Sequence, residues 1–301
     1  MPSLRGSSAK VLVRTLMLLM LGSHGPVKYQ RFLFNSVVPL LALKVKGVGS
    51  EPADVPGIPA EWLIPDKAAS DKVLLYLHGG GYVIGNINSH RAMVSQIAMA
   101  AGCRALMIEY RLAPEHKLPA AVEDAASAYR WLLAQGYEPG NVVIAGDSAG
   151  GGLTAATLVY LRDAGDPPPA AAMMLSPWAD LEVTGESCRT VGRRDPMVKS
   201  DHLKRWAVMY LGGKEPRDPL ASPIHADLTG LPPLLIHVGT CEVLLDDARR
   251  LAEKAREDGV PVELYECDGM FHVWQFFSPM VPESKDAVQR LGRFYRDKVG
   301  V

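Results

Sequence analysis

The feature that most constrains the fold is the run Val142-Val143-Ile144-Ala145-Gly146-Asp147-Ser148-Ala149-Gly150-Gly151. A β-branched apolar segment feeds directly into Gly-x-Ser-x-Gly and then into Leu153-Thr154-Ala155-Ala156-Thr157-Leu158, so the spacing predicts a strand, a sharp turn and a helix. Such a turn holds a serine hydroxyl clear of its surroundings. Gly146 and Gly150 are then required, because strand and helix pass so close that a Cβ at either position would clash. The helix N-terminus behind Ser148 also aims unpaired N–H groups, that of Ala149 among them, at any oxyanion forming beside the serine. A bare Gly-x-Ser-x-Gly also arises in glycine-rich turns with an idle serine, and the strand-turn-helix context favours the elbow over that reading.

The whole chain amounts to 301 residues, 48% hydrophobic and 22% charged, ample for one large α/β core. With a formal net charge of −1 and Lys and Arg scattered along the sequence, nothing offers a footprint for a phosphate backbone, which excludes nucleic acid as a partner. Cys103, Cys188, Cys241 and Cys267 stand singly, as reduced thiols in a cytoplasmic protein do. No His and Cys cluster has metal-ligand spacing and no glycine loop matches a nucleotide fingerprint, so neither a metal nor a cofactor is expected.

Residues 10–21 (KVLVRTLMLLML) could be read as the core of a signal peptide. Arg14 interrupts the run, no small-x-small cleavage site follows, and a second amphipathic stretch continues over 29–46, so a helix belonging to the folded protein is the better reading. It is too short to span a bilayer, so no stable membrane insertion is expected, although association with a membrane surface stays open. Two helical segments, 10–21 and 30–46, separated by Gly22-Ser23-His24-Gly25-Pro26, thus make residues 1–48 a helical cap over a domain spanning 49–301.

Within that domain, strands are expected at 60–64, 72–77, 105–109, 142–147, 170–175, 234–238 and 262–267, and helices at 89–101, 120–135, 245–258 and 283–299. This alternation predicts an α/β fold with a mostly parallel central sheet flanked by helices. It breaks between about 177 and 219, a polar and irregular stretch with helical character at 200–211 that could complete the cap.

Directly after the buried strand at 72–77 comes His78-Gly79-Gly80-Gly81-Tyr82, whose glycines let a loop turn and expose its N–H groups. Gly80 and Gly81 are therefore candidate oxyanion donors, with Ala149 as the third. A nucleophilic serine also needs a histidine base and a carboxylate to orient it, in the chain order Ser, acid, His. His272, in Asp268-Gly269-Met270-Phe271-His272 after the final strand, is the candidate base. His237 reads as a core residue within a strand, and His202 and His225 fall in the irregular region. For the acid, the loop Gly239-Thr240-Cys241-Glu242-Val243-Leu244-Leu245-Asp246-Asp247 offers Glu242 at the strand end. Asp246 is the alternative, at a helix start where acids often serve the macrodipole. Tyr82, Val83, Phe32 and Phe34 are candidate pocket walls or plain core.

These motifs, with Tyr110-Arg111-Leu112-Ala113-Pro114-Glu115, resemble in content and order the bacterial hormone-sensitive-lipase family of esterases within the α/β-hydrolases, over essentially the whole chain. The resemblance implies Ser148 as nucleophile, His272 as base, the Gly80, Gly81 and Ala149 amides as oxyanion hole, and a helical cap built from the N-terminal segments and the 177–219 insertion. It also implies no cofactor and a homodimer through the sheet edge. The family's Asp-Pro-Leu-x-Asp stands here as Glu242-Val243-Leu244-Leu245-Asp246. The activity implied is hydrolysis of short- to medium-chain carboxylic esters, with an amidase or acyltransferase on the same triad, or a non-catalytic ligand-binding protein, as alternatives.

Overall fold

The computed structural model describes residues 2–21, 25–41 and 45–300, with backbone alone for 17–21 and 41. Eight strands form one sheet: β1 Val48–Ala53, β2 Ala60–Pro65, β3 Ala69–Leu77, β4 Cys103–Ile108, β5 Val142–Asp147, β6 Ala171–Leu175, β7 Leu234–Gly239 and β8 Val262–Cys267. Their order is β1-β2-β4-β3-β5-β6-β7-β8. β1, β2 and β4 pair antiparallel, and every pairing from β4 through β3 to β8 is parallel.

The parallel strands read as continuous apolar runs because both faces are covered. Alternate residues of β3 divide cleanly: Val73, Leu75 and Leu77 enter one core with Val122 of α4 (Ala120–Ala134), Leu153 of α5 (Ala149–Asp163) and Leu251 of α8 (Leu245–Glu257). Leu74 and Tyr76 enter a second with Val94 of α3 (Ile87–Ala101) and Leu291 of α9 (Pro282–Val299).

Two differences from the sequence expectation have local causes. β1 has no apolar signature, since its middle residues are exposed and it contains Pro52; it exists as an outer strand through its ladder to β2. α1 runs over Leu4–Leu21, six residues longer at its start than expected. Gly6 looks like a helix breaker but is buried against the tip of Met270, which a larger side chain would have to displace. α2 spans Val27–Leu41 with Pro39 inside it, and the expected continuation through 42–44, like linker residues 22–24, lies outside the described residues.

α1 packs through Ala9 and Val13 onto Met270 and Phe271, the residues leading into His272. α2 is tied down by Arg31, whose guanidinium donates to the carbonyls of Val83 and Ala113, both at 2.6 Å. In the insertion, Trp178, Ala179 and Leu181 are buried in the main core, a short α6 covers Ser187–Thr190, and α7 occupies Ser200–Leu211, as the sequence predicted.

Candidate active site

The carboxyl ends of parallel strands open onto one side of the sheet, where ligands of such folds bind. Ser148 follows β5 with φ 54° and ψ −121°, a conformation that L-residues seldom adopt. The surroundings hold it there. Its N–H donates to the Leu175 carbonyl at 2.8 Å, and its own carbonyl accepts from the N–H groups of Gly151 (3.0 Å) and Trp178 (2.9 Å). A Cβ on Gly146 would fall on the carbonyl of Gly150, and one on Gly150 on that of Leu77, so both glycines are required by close approach.

His272 and Glu242 arrive from the loops after β8 and β7. His272 Nδ1–H donates to Glu242 Oε2 at 2.9 Å, while Glu242 Oε1 accepts from Ser176 Oγ–H at 2.9 Å and Gly239 N–H at 2.5 Å. With the carboxylate able only to accept, the Nδ1 proton is fixed and Nε2 is left to take up another. Burial pushes the Glu242 carboxyl up, against the pull of His272. For His272, burial disfavours the imidazolium, but the hydrogen bond and charge of Glu242 outweigh it and leave the ring above its ordinary value.

Asp246 does not reach the histidine: its carboxylate caps Ser187 N–H at 2.7 Å. Asp247 is engaged by the N–H groups of Ala179 and Asp180 at 3.0 and 2.9 Å. His237 is fully buried in β7, packed edge-on against Tyr265, and burial drives it down to about 3, a neutral core residue.

The glycine loop has two independent constraints. Gly80 has φ 122° and Gly81 φ 63°. A Cβ on Gly80 would meet the Ile84 carbonyl, and one on Gly81 the indole of Trp206 from α7. Among the described residues, the N–H groups of Gly80, Gly81 and Ala149 have no acceptor. Asp147, buried beside the serine, accepts from Tyr76 O–H at 2.9 Å and Gly79 N–H at 3.1 Å and lies 3.4 Å from His90 Nε2. Burial alone would raise its pKa, but His90 and the Tyr76 hydrogen bond hold it below the ordinary carboxylate value.

Ser148 and His272 line a single cavity of about 60 Å³ with Gly80, Gly81 and Phe34. Of the four residues read as pocket walls or core, Phe34 lines this cavity and the other three do not. Phe32, on the same helix as Phe34, faces solvent at 66% exposure. Tyr82 and Val83 are buried behind the loop, Tyr82 stacked on Tyr210 with ring centroids 3.8 Å apart. Further walls, which the sequence does not mark, include Ile84, Met197, Val198, Trp206 and Phe276 with His202 and His90. Only the apolar face of 200–211 hinted at Trp206. Ser176 was missed too, since nothing around it marks a partner for Glu242.

Asp180, Glu182 and His225 bring ligand-type atoms together, but Asp180 is already held by Arg250 at 2.8 Å and Thr184 N–H at 3.0 Å, and ties the insertion to α8.

Residues 74–276 match a family model described as an α/β hydrolase fold. An acetyl-hydrolase of Streptomyces hygroscopicus is 50% identical over 256 residues, covering 84% of this chain and 85% of that protein. A crystal structure of an esterase from the bacterial hormone-sensitive lipase family superposes with a TM-score of 0.93 at 49% identity, covering 97% of this chain and 98% of that one. EstE5, in a crystal soaked with p-nitrophenyl butyrate, gives a TM-score of 0.94 at 45% identity over 99% of this chain and 100% of its own. The chain therefore belongs to the bacterial hormone-sensitive-lipase family of α/β-hydrolases.

Proposed function

We propose that this carboxylic ester hydrolase works by two-step acyl transfer, with Ser148 as nucleophile, His272 as general base and Glu242 as the orienting acid. The observation that supports this best is the shared cavity: Ser148 and His272 line it together, and Glu242 fixes the histidine tautomer from behind at 2.9 Å. His272 Nε2 takes the serine proton as Oγ attacks the ester carbonyl. The charge that develops on the carbonyl oxygen meets the unpaired amides of Gly80, Gly81 and Ala149, and the alcohol leaves with the proton from His272. Water repeats the sequence and releases the acid.

The small cavity, lined by Phe34, Trp206 and Phe276, supports modest acyl chains over a broad lipid interface, and the family resemblance supports a limit of about eight carbons. The N-terminal helices and the 177–219 segment act as the cap over this site, and the enzyme pairs as a homodimer through the edge of its sheet in the cytoplasm. Hydrolysis of p-nitrophenyl butyrate by Ser148→Ala tests the core of the reading: a fall of about 10⁶-fold in kcat is expected. Turnover within a few-fold of wild type would remove Ser148 from the mechanism.

A further inference from the structure

The near-neutral balance of the whole chain conceals a segregation of charge. Residues 1–50 contain seven Lys and Arg and no Asp or Glu; of 32 cations and 33 carboxylates in all, the rest of the chain keeps 25 and 33, a net −8. The same end carries most of the exposed apolar side chains: Leu4 (89% exposed), Val11, Leu12, Tyr29, Phe32 and Leu40 (83%). α1 meets the protein through Gly6, Ala9 and Val13, and at 100° per residue this turns Leu4 and Val11 to the opposite side. The outer face thus sets Leu4 and Val11 among Ser7, Ser8 and Thr15, a mixed face suited to the polar boundary of an apolar phase.

Beside that outer face runs a groove of about 600 Å³ between α1 and the segment before α7, with Lys10, Arg14, Arg193 and Arg194 in its walls. Among the described residues none of the four is paired with a carboxylate. Arg14 and Arg194 reach only backbone carbonyls, those of Arg193 at 3.0 Å and Thr240 at 3.3 Å. Elsewhere Arg91, Arg111, Arg130 and Arg249 each hold an acid within 2.8 Å.

Exposed hydrocarbon next to unpaired cations complements a surface that offers negative charge above and hydrocarbon below. The apolar side chains protrude from helices instead of lining a cleft, a form that a fluid surface accommodates. We infer that α1, α2 and the Arg193–Arg194 segment dock this protein peripherally on anionic phospholipid bilayers. Leu4 and Val11 enter below the headgroups, and Lys10 and Arg193 lie at phosphate level. No helix among the described residues is long and apolar enough to cross a membrane, so the contact is superficial. It adjoins the catalytic cavity, because Pro196 lines the basic groove and the next residues, Met197 and Val198, line the cavity of Ser148.

Sedimentation of the full chain with unilamellar vesicles tests this. Binding is expected to phosphatidylglycerol vesicles and not to phosphatidylcholine vesicles, and to weaken as salt rises. Each cation at an anionic surface contributes about five-fold, so Lys10→Gln with Arg193→Gln is expected to weaken binding about 25-fold. Leu4→Ser with Val11→Ser is expected to weaken it at every salt concentration. Thermal melts of the variants check that they remain folded, which keeps the outcome independent of the esterase reading. Equal binding to both vesicle types, no binding to either, or indifference to both pairs of substitutions would overturn the inference. So would displacement by inorganic phosphate at matched phosphate concentration, or a lipid-free dimer abolished by the same substitutions, which would assign the face to a free anion or a second copy.

Discussion

His272 Nδ1 lies 2.9 Å from Glu242 Oε2, and both side chains are almost wholly shielded from water, at 4% and 0% exposure. An ionised pair out of water is strongly coupled, so removing one partner changes the proton affinity of the other as well as its orientation.

Glu242→Gln keeps the shape and removes the charge that fixes the tautomer of His272. A fall of about 10⁴-fold in kcat on p-nitrophenyl butyrate is expected. Asp246→Ala removes only the cap on Ser187 N–H and is expected to stay within a few-fold of wild type. The reverse ranking would transfer the acid's role to Asp246.

The pH profile carries a sign. A base acts when deprotonated, and the pKa of His272 is raised by Glu242 against the opposing effect of burial. Activity should therefore be lost on acidification from a pH above the ordinary histidine value of about 6.5. In Glu242→Gln the raising partner is gone while burial persists, so the residual activity should retain its value to lower pH. An acid limb of kcat/KM that does not move between the two enzymes would separate it from His272.

Gly81 is boxed in by Trp206, so Gly81→Ala must displace either the indole or the loop. Loss of an aligned amide typically lowers kcat by about 10²- to 10³-fold, and that range is expected here. Trp206→Ala clears the obstruction, and adding it to Gly81→Ala should restore part of the loss. A double-mutant cycle on kcat reads this; strict additivity would mean that the two do not communicate through contact.

Asp147→Ala leaves Tyr76 O–H without its acceptor inside the protein, whereas Gly79 N–H keeps His90 Nε2 at 3.2 Å. A stranded buried donor costs about 1–3 kcal/mol, and a loss of that size in unfolding free energy is expected by denaturant titration. Tyr76→Phe, which removes one donor with its bond, should cost about 1 kcal/mol and leaves Gly79 served.

What was legible in the sequence follows from how local each signal is. The strand–turn–helix at Ser148 is written in ten consecutive residues, and parallel strands covered on both faces announce themselves as apolar runs, as β3 and β5 do. β1 carries no such run, because an outer strand needs only a ladder partner. Position alone favours Glu242 over Asp246; in the structure Glu242 lies 2.9 Å from His272 Nδ1 and Asp246 caps Ser187 N–H. Apart from Phe34, the cavity walls were opaque: Trp206 and Phe276 meet it from α7 and the segment before α9, and no spacing within any one segment records that meeting. Ser176, at φ 49°, supports Glu242 through a geometry that exists only once β6 and β7 are side by side.

That side-by-side arrangement has a consequence for ancestry and engineering. Ser148, Ser176, Glu242 and His272 emerge from four successive neighbours in the sheet, β5 to β8. The backbone ladder runs on past the strand ends, from Ser148 to Leu175 at 2.8 Å and from Ser176 to His237 at 2.7 Å. The spacing of these four side chains is thus inherited from the pitch of the sheet, whereas most of the chamber around them is borrowed from helices and loops outside it. Chemistry and selectivity are separately heritable here, so helices of a different shape could be grafted over the same four strand ends, re-cutting the substrate range without retuning the reaction.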